Sequence, residues 1–410
     1  MAKITIIGGG QSGLQLGTGL LQNGYDVTIV SDRTPDQIRD GRVTSSQCMF
    51  ASALDNERVL GLDFWEDTCP PVEGIALAVP HPEIPGAKAI DWGARLDRVA
   101  QSVDQRVKFP QWMEHFAASG GDLVFHEAAV DDMERYAAEG DLLVVAAGKG
   151  EIARFFERDA ERSQFDQPMR ALALTYVTGM TPRPDFSAVC FNIIPGVGEY
   201  FVFPALTTSG PCEIMVFEGV PGGPMDCWDD VATPAEHLAR SKWILDTFLP
   251  WEAERCRSVE LTDDLGILAG RFAPTVRKPV GWLPSGRPVL GMADAVLLND
   301  PITGQGSNNA SKGAAVYLQA ILERGEGPFD AIWMQETFER LWAYAEKVVG
   351  WTNALLLPPP PHVLEVLGAA GAYPAVAHRF ANGFDNPPEY YDWFMFPDKA
   401  EAYLAEVAAA

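Results

Sequence analysis

Lys3 to Gly13 reads KITIIGGGQSG, a short β-branched run that ends in glycines. Because buried parallel strands are rich in β-branched residues, Lys3–Gly8 is predicted to be a strand. Leucines follow with helical spacing over Ser12–Asn23, and Tyr25–Val30 (YDVTIV) has the pattern of a second strand. These three elements make a βαβ unit and indicate an α/β fold.

The glycines of this unit have the spacing Gly8-x-Gly10-x-x-Gly13. Gly8 permits the tight turn, Gly10 lets the backbone approach a pyrophosphate, and Gly13 allows close packing of helix on strand. The helix N-terminus then stabilises the phosphate charge. Asp32 follows the second strand, where a ribose hydroxyl would be held, although a solvated turn residue is the alternative. The unit predicts a dinucleotide site.

A second glycine-rich stretch occurs late in the chain, where Asp300–Ala310 reads DPITGQGSNNA. A strand is predicted over Pro288–Met292, with Asp294 after it, and a helix over Ser307–Leu322. A turn of this kind can offer N–H groups and a helix N-terminus to a second part of the same ligand. A nicotinamide dehydrogenase has no need of it, whereas a flavoprotein does. An ordinary strand–helix turn is the alternative.

The rest of the chain falls into regions that differ in polarity and hydrophobic pattern. Arg33–Phe50 is polar and predicted to be a loop, and Leu142–Ala147 (LLVVAA) is a buried strand. Short runs with turns between them over Ala171–Val220 predict an inserted antiparallel sheet. After about Phe329 the chain is helical, and the prolines of Pro358–Pro361 interrupt it.

The composition of the chain excludes several classes of partner and site. The 410 residues are 47% hydrophobic and carry a formal net charge of −25, so nucleic acid and anionic membranes are poor partners. No segment reads as a signal peptide or as the roughly 20 apolar residues of a membrane span, so a cytoplasmic location is expected. A reduced, metal-free protein is predicted because no CxxC pair occurs among Cys48, Cys69, Cys190, Cys212, Cys227 and Cys256.

Four stretches carry a family resemblance: GGGQSG at 8–13, DRTPD at Asp32–Asp36, DLLVVAAGKG at Asp141–Gly150, and GMADAVLLNDPITGQGSNNASKGA at 291–314. In this order they resemble the flavoprotein aromatic hydroxylases of the p-hydroxybenzoate hydroxylase fold. Within that group the chain is most similar to the two-component styrene and indole monooxygenases, over most of its length.

The resemblance implies a Rossmann-type FAD domain, an inserted antiparallel-sheet substrate domain and a helical C-terminal region. The corresponding segments are 1–70, 95–165 and 265–328 for FAD, 71–94 and 166–264 for substrate, and 329–410 for the C-terminal region. It also implies the residues around FAD: Gly8, Gly10, Gln11, Ser12, Gly13, Asp32, Arg33, Arg42, Asp294, Pro301, Gly304, Gln305, Gly306 and Asn308.

One departure from the single-component hydroxylases concerns the reductant. Those enzymes usually carry an Asp-Gly pair after the LLVVAA-type strand, associated with the cofactor and NAD(P)H, whereas this chain has Ala147-Gly148. The chain also lacks a second βαβ glycine fingerprint, which alone means little because single-component members lack it too. Both features fit an oxygenase that receives reduced FAD from a transient partner, an NADH-dependent flavin reductase.

The substrate type is read from Arg42–Phe50 (RVTSSQCMF) and from three later positions. Styrene-type members have Asn, Val and His in the first segment and Tyr, His and Ser at the later positions. This chain resembles the indole-type subgroup at all six, which are Ser45, Gln47, Met49, Val72, Ile75 and Ala100. From the residues alone, the first two would be solvated loop residues and the last three core.

The chemistry that the resemblance implies needs no catalytic side chain. A flavin hydroperoxide is itself electrophilic and is attacked by an electron-rich double bond, so the protein orients the ring and excludes water. Indole would give its 2,3-epoxide, then indoxyl and indigo, with styrene epoxidation and sulfoxidation as side activities. Ser45 or Gln47 could accept a hydrogen bond from the indole N–H, which styrene lacks.

Three alternatives stay open: a styrene monooxygenase proper, a single-component NAD(P)H-dependent hydroxylase, and a flavin-binding protein without oxygenase turnover. The halogenase motif WxWxIP does not occur in the sequence. The tryptophans Trp333, Trp342 and Trp351 are predicted to be core, and the oligomeric state is open, a homodimer included. Surface or structural roles are predicted for His81, His115, His126, His237, His362 and His378.

Overall fold

The computed structural model describes residues 2–148 and 152–409. Lys149 and Gly150, which end the quoted stretch Asp141–Gly150, lie outside the described residues. In the described part, no helix combines the length and the apolar character that crossing a membrane requires.

The strands of the described residues are β1 (Lys3–Ile7), β2 (Asp26–Ser31), β3 (Pro71–Pro80), β4 (Lys88–Gln101), β5 (Asp122–Phe125), β6 (Leu142–Val145), β7 (Ala171–Thr178), β8 (Ala188–Ile194), β9 (Gly198–Thr207), β10 (Gly210–Gly219), β11 (Glu260–Leu261), β12 (Ile267–Gly270), β13 (Thr275–Val276), β14 (Val280–Trp282), β15 (Pro288–Gly291) and β16 (Leu297–Leu298). The α-helices are α1 (Gln11–Gln22), α2 (Pro35–Arg39), α3 (Ala51–Val59), α4 (Gln105–Ala118), α5 (Val130–Glu139), α6 (Pro234–Phe248), α7 (Pro250–Arg255), α8 (Gly306–Arg324), α9 (Ala331–Leu355), α10 (Pro361–Ala372), α11 (Pro374–Gly383) and α12 (Pro397–Ala409).

A six-stranded sheet has the order β14-β15-β6-β1-β2-β5, with only β14 antiparallel to its neighbour. Ile7 at the end of β1 lies beside Val145, and Val145 lies beside Gly291 at the end of β15. The carboxyl ends of parallel strands meet at one edge of a sheet. The loops after β1 and β15 are therefore neighbours, although nearly the whole chain separates them.

A second sheet has the order β11-β7-β10-β9-β8-β3-β4, and β12 also pairs with β7. Neighbouring strands are antiparallel except for β3 and β8. One face packs against the C-terminal helices in a core that contains Phe201, Trp351 and Phe380. The other face packs against α6 and α7 through Met215 and Ile244.

Two predictions need correction. Arg33–Phe50 was predicted to be a loop throughout, yet it contains the short helix α2, because Thr34 and Gln37 form a reciprocal capping box at its start. The predicted domain boundaries at 94/95 and 264/265 also do not coincide with the limits of the second, mainly antiparallel sheet. β4 continues unbroken to Gln101, and Ile267–Gly270 pairs with β7, so the sheet extends beyond both.

Candidate functional site

The first glycine loop is fixed by backbone packing. Gly8 has a φ of +128°, and a Cβ there would lie 2.8 Å from the carbonyl carbon of Ala146. A Cβ on Gly13 would lie 1.9 Å from the carbonyl oxygen of Gly8, so α1 can approach β1 only with glycine at this position. Within the described part of the chain, a Cβ on Gly10 would have no atom within 4 Å. The open space above Gly10 leaves room for a ligand.

The second loop is held by a side chain and a left-handed turn. Asp300 Oδ1 accepts a hydrogen bond from the Ile302 N–H at 3.1 Å and so caps the turn Pro301–Thr303. Gly304 has a φ of +64°, and α8 begins at Gly306. A Cβ on either glycine would meet open space.

The N-terminal ends of α1 and α8 are joined. Ser12 Oγ donates to the Ala310 carbonyl at 2.9 Å, and Gln15 Nε2 donates to the Ser311 carbonyl at 3.0 Å. Neither helix has a side-chain cap at its N-terminus. A cleft of about 250 Å³, open solvent included, is lined by Ser12, Ala293, Asp294, Leu297, Gly306, Asn309, Ala310, Gly313 and Leu341.

The Ala147-Gly148 pair also reaches this region. A Cβ on Gly148 would lie 2.4 Å from the Cβ of Asp294, so the end of the β6 loop packs directly against the residue after β15. Asp294 is exposed, and its neighbour Ala293 has a φ of +52°. Three loops of the six-stranded sheet therefore converge here.

Two adjacent asparagines on α8 have different roles. The Asn308 amide accepts from the Phe50 N–H at 2.8 Å and donates to the Cys48 and Gly304 carbonyls, both at 2.9 Å. Asn309 is 6% exposed, and neither polar atom of its side chain has a hydrogen-bond partner among the residues that the structure describes. Buried amides are normally satisfied, so the Asn309 side chain is suited to a ligand in the cleft.

These observations test whether the residues fit FAD, and they do. Two helix N-termini without side-chain caps face one cleft, so backbone N–H groups and helix dipoles are available for an anionic pyrophosphate. Gly10 leaves space for close approach, and Asn309 offers an unused donor and acceptor. Asn309 was not among the predicted residues, because the spacing of residues does not say which of two adjacent buried asparagines spends its side chain on hydrogen bonds within the protein.

The other predicted cofactor residues differ in position. Asp32 is exposed beyond the end of β2, 3.8 Å from Arg33. Arg42 is exposed in a loop that is tied to the Leu265 carbonyl through the N–H of the next residue. Gln11 donates to Gln15 and Glu57 at 3.1 and 2.8 Å.

Pro301 is half-buried in the capped turn of the second loop. Gln305 is buried and donates to the Phe384 carbonyl at 2.9 Å. Its Oε1 has no hydrogen-bond partner in the structure. Gln305 therefore ties the second loop to the C-terminal helices and keeps one acceptor unused.

Three of the six predicted substrate residues come together. Val72 and Ala100 are cross-strand neighbours on β3 and β4, and Ile75 belongs to the same fully buried cluster. The loop before α3 contributes Val43, Cys48 and Phe50 to that cluster. The result is an apolar region between the large sheet and the C-terminal helices.

Ser45 and Gln47 form a polar network beside this cluster. Ser45 Oγ donates to Gln47 Oε1 at 3.0 Å and accepts from Gln105 Nε2 at 2.6 Å. Gln47 Nε2 donates to the Val103 carbonyl, and Tyr176 donates to the Ser45 carbonyl. A carbonyl oxygen has two lone pairs, so Gln47 Oε1 keeps one site that can accept from a substrate.

The Met49 side chain belongs to a different, small cluster with Ala53 and Leu54, although its backbone pairs with Gln101, the residue after Ala100. Its sulfur accepts from the buried Lys108 ammonium at 3.1 Å, and Lys108 also forms an ion pair with Glu57. Burial lowers the pKa of Lys108, and the Glu57 charge opposes that shift.

The Lys108–Glu57 pair links the loop that carries Met49 to the first glycine loop, because Gln11 also donates to Glu57. Sequence reasoning missed this link. A cavity of about 320 Å³, open solvent included, adjoins it and is lined by Met49, Leu54, Glu57, Asp63, Trp65, Glu66, Gln101, Val103 and Lys108.

Comparison with known proteins supports the resemblance. Residues 148–255 match the family model described as "Styrene monooxygenase A putative substrate binding domain". The chain is 28% identical to styrene monooxygenase StyA of Pseudomonas fluorescens, over 99% of this chain and 98% of that protein. A second Pseudomonas StyA is also 28% identical over the same shares of the two chains. The similarity to styrene monooxygenases is thus confirmed, whereas the indole-type subgroup stays a prediction.

Solved structures agree on the fold. The flavin-dependent brominase Bmp2 superimposes with a TM-score of 0.65 at 15% identity, covering 95% of this chain and 99% of that chain. A flavoprotein/dehydrogenase from Cytophaga hutchinsonii gives a TM-score of 0.69 at 14% identity, covering 100% and 99%. At these identities the likeness concerns architecture alone, and it confirms the predicted α/β flavoprotein fold.

Proposed function

We propose that this relative of the styrene monooxygenases is the oxygenase component of a two-component system and that it oxygenates indole. Its class, an FAD-dependent monooxygenase, follows from similarity to styrene monooxygenases along the whole chain together with the flavoprotein fold. The reductase partner and the indole preference are the proposed parts.

The observation that carries the proposal is the meeting of two uncapped helix N-termini at one cleft, with the unpartnered Asn309 amide in its lining. Gly10, Gln11 and Ser12 would hold the pyrophosphate through their N–H groups. The Gly304–Asn309 segment would hold the far end of FAD. Reduced FAD, when bound, supplies the activation of O2 for transfer of one oxygen atom to an electron-rich double bond.

The Ala147-Gly148 pair is the reason for proposing a separate reductase. The carboxylate that single-component relatives place before this glycine is missing, and the glycine packs on Asp294. Reduced FAD must therefore come from a partner and leave that partner easily.

The chain's own residues would orient the substrate and exclude water. Val72, Ile75 and Ala100 are each 0% exposed and belong to one apolar cluster, which suits a planar aromatic ring. Gln47 Oε1, with one unused lone pair, is the acceptor proposed for an indole N–H. Styrene oxygenation is the second candidate, because the relatives are named styrene monooxygenases.

The test of the proposed function combines the purified protein with FAD, NADH, O2 and indole, with and without an unrelated flavin reductase. Blue pigment only with the reductase is the expected result. Styrene oxide without indigo would keep the two-component mechanism and reject the indole preference. Product formation with NADH alone would reject the separate reductase.

A Gln47→Leu variant tests the specificity part. Removing the acceptor should lower the ratio of indole to styrene turnover about five- to 150-fold, since an unpaired buried polar group costs about 1–3 kcal/mol. Gln105→Leu is the matched control, because Gln105 binds Ser45 in the same network but is not a proposed substrate residue. If both variants left the ratio unchanged, Gln47 would have no part in substrate choice.

A further inference from the structure

A cluster of four ionisable side chains, three of them buried and Glu199 partly buried, lies between the large sheet and the second glycine loop. Arg170 makes a two-point ion pair with Glu199, at 2.7 Å from Nε and 2.9 Å from Nη2. Glu199 on β9 is the direct cross-strand neighbour of Glu218 on β10. Glu218 is 0% exposed, and Asp300, at the start of the second loop, is 1% exposed.

The charges of this cluster do not balance if every group is ionised. Three carboxyl groups face one guanidinium, and Arg170 is already bound to Glu199 and to the Met169 and Leu356 carbonyls. Both Glu218 oxygens and Asp300 Oδ2 lack a donor in the structure. Ionised carboxylates only accept hydrogen bonds, so two of them buried together with three of their four oxygens lacking a donor are strongly unfavourable.

A proton shared by Glu218 and Asp300 removes this conflict, because a neutral carboxylic acid donates to its partner. The direction of the pKa shifts agrees. Burial raises the pKa of Glu218 well above its usual value, and the adjacent Asp300 and Glu199 charges add to the effect. Burial also raises the pKa of Asp300.

The place of the pair in the fold gives it a role. Asp300 caps the turn that leads to Gly304 and the start of α8, so the pair ties this loop to β10. We propose that Glu218 and Asp300 share one proton and together act as positioning residues, holding the second loop in the conformation that receives FAD. This inference rests on the proposed function, since it assumes that FAD uses the loop.

The proposal predicts a pH dependence. The charged groups that face the pair are Glu199 and Arg170, which are bound to each other. Because the folded pKa of Glu218 is raised, the stabilisation is fully present below its unfolded value and is lost as pH rises through the folded pKa. The second loop should loosen, and FAD should bind more weakly, at alkaline pH.

The test compares Glu218→Gln, Glu218→Ala and the control Glu213→Gln. Glutamine is a neutral isostere that always carries a donor, so it reproduces the protonated state. Glu213 lies five residues earlier on β10 and hence on the opposite face, and burial raises its pKa to about 7. The Glu213→Gln variant therefore controls for the loss of another carboxyl group whose pKa is raised.

Two readouts are measured on the full chain. The first is the FAD dissociation constant at about pH 6.5 and about pH 9. For wild type and Glu213→Gln we expect FAD to bind about five-fold more weakly, or weaker still, at the higher pH than at the lower one. Glu218→Gln should bind FAD equally well at both pH values, and Glu218→Ala should bind it weakly at both. The second is the intensity of the infrared carboxylic-acid band of the protein without FAD at about pH 8. This band should be weaker in both Glu218→Gln and Glu218→Ala than in wild type.

If the FAD dissociation constants of wild type and Glu218→Gln changed in parallel with pH, the inference would be rejected. The proposed function would still stand, provided that the wild type turns over with the reductase. A wild type that binds no FAD at any pH would reject the proposed function instead. In that case the infrared comparison, which needs no FAD, still decides the shared proton: an unchanged band in Glu218→Gln overturns it.

Discussion

The two glycine loops are built in different ways, although they face the same cleft. The first is fixed by contact between backbones, since a Cβ on Gly13 would lie 1.9 Å from the Gly8 carbonyl oxygen. The second has open space at Gly304 and Gly306 and is held by side chains, namely the Asp300 cap and the three hydrogen bonds of Asn308. A loop of the first kind tolerates no side chain at its contact glycines Gly8 and Gly13, whereas one of the second kind depends on distant partners.

The largest expected effect is that of Gly13→Ala. The added methyl cannot be placed without moving α1 from β1, which should destabilise the fold by about 1–3 kcal/mol and abolish FAD binding. Gly10→Ala is the matched variant, because its Cβ meets no atom within 4 Å. It should weaken FAD binding while the urea midpoint of the protein without FAD stays at the wild-type value. Equal stability of the two variants would contradict the packing account of this loop.

The second loop is tested by Asn308→Ala against Asn309→Ala. Removing the Asn308 amide leaves the Phe50 N–H and two carbonyls without this partner, so unfolding should become easier by about 1–3 kcal/mol. The Asn309 side chain has no hydrogen-bond partner among the described residues, so its loss should leave stability unchanged and lower FAD affinity. Urea unfolding and FAD titration of both variants measure the difference. An equal loss of stability in the two would mean that Asn309 is structural.

The smallest effect is expected at Asp32, which is exposed beyond the end of β2. If its carboxylate accepts a ribose hydroxyl, Asp32→Asn should weaken FAD binding about five-fold without a change in stability. Asp26→Asn removes an exposed carboxylate from the other end of the same strand and controls for charge. The same affinity for both variants would assign Asp32 to the solvated surface.

The contrast between the loops also explains what the sequence could predict. The β1–α1–β2 unit was predicted within about one residue of its observed bounds, because hydrophobic periodicity and glycine spacing are local signals. The helix α2 was missed, although its capping box at Thr34 and Gln37 was present in the sequence.

The partners of the second loop could not be predicted in the same way. Glu218 and Asp300 are far apart along the chain, and only the pairing of β9 with β10 and the folding of the loop bring their carboxyl groups together. The Met49 side chain likewise packs in a different buried cluster from Val72, Ile75 and Ala100, which depends on how distant segments of the chain meet. Long-range packing decides these contacts, and local pattern does not contain it.

A crystal structure of the protein with FAD tests the central claim most directly, namely that two distant loops form one cofactor site. The account predicts the pyrophosphate at the N–H groups of Gly10–Ser12 and the opposite end of FAD against Gly304–Asn309, with the Asn309 amide bound to it. Electron density for FAD at the first loop alone, with no cofactor atom in contact with the second loop, would contradict it.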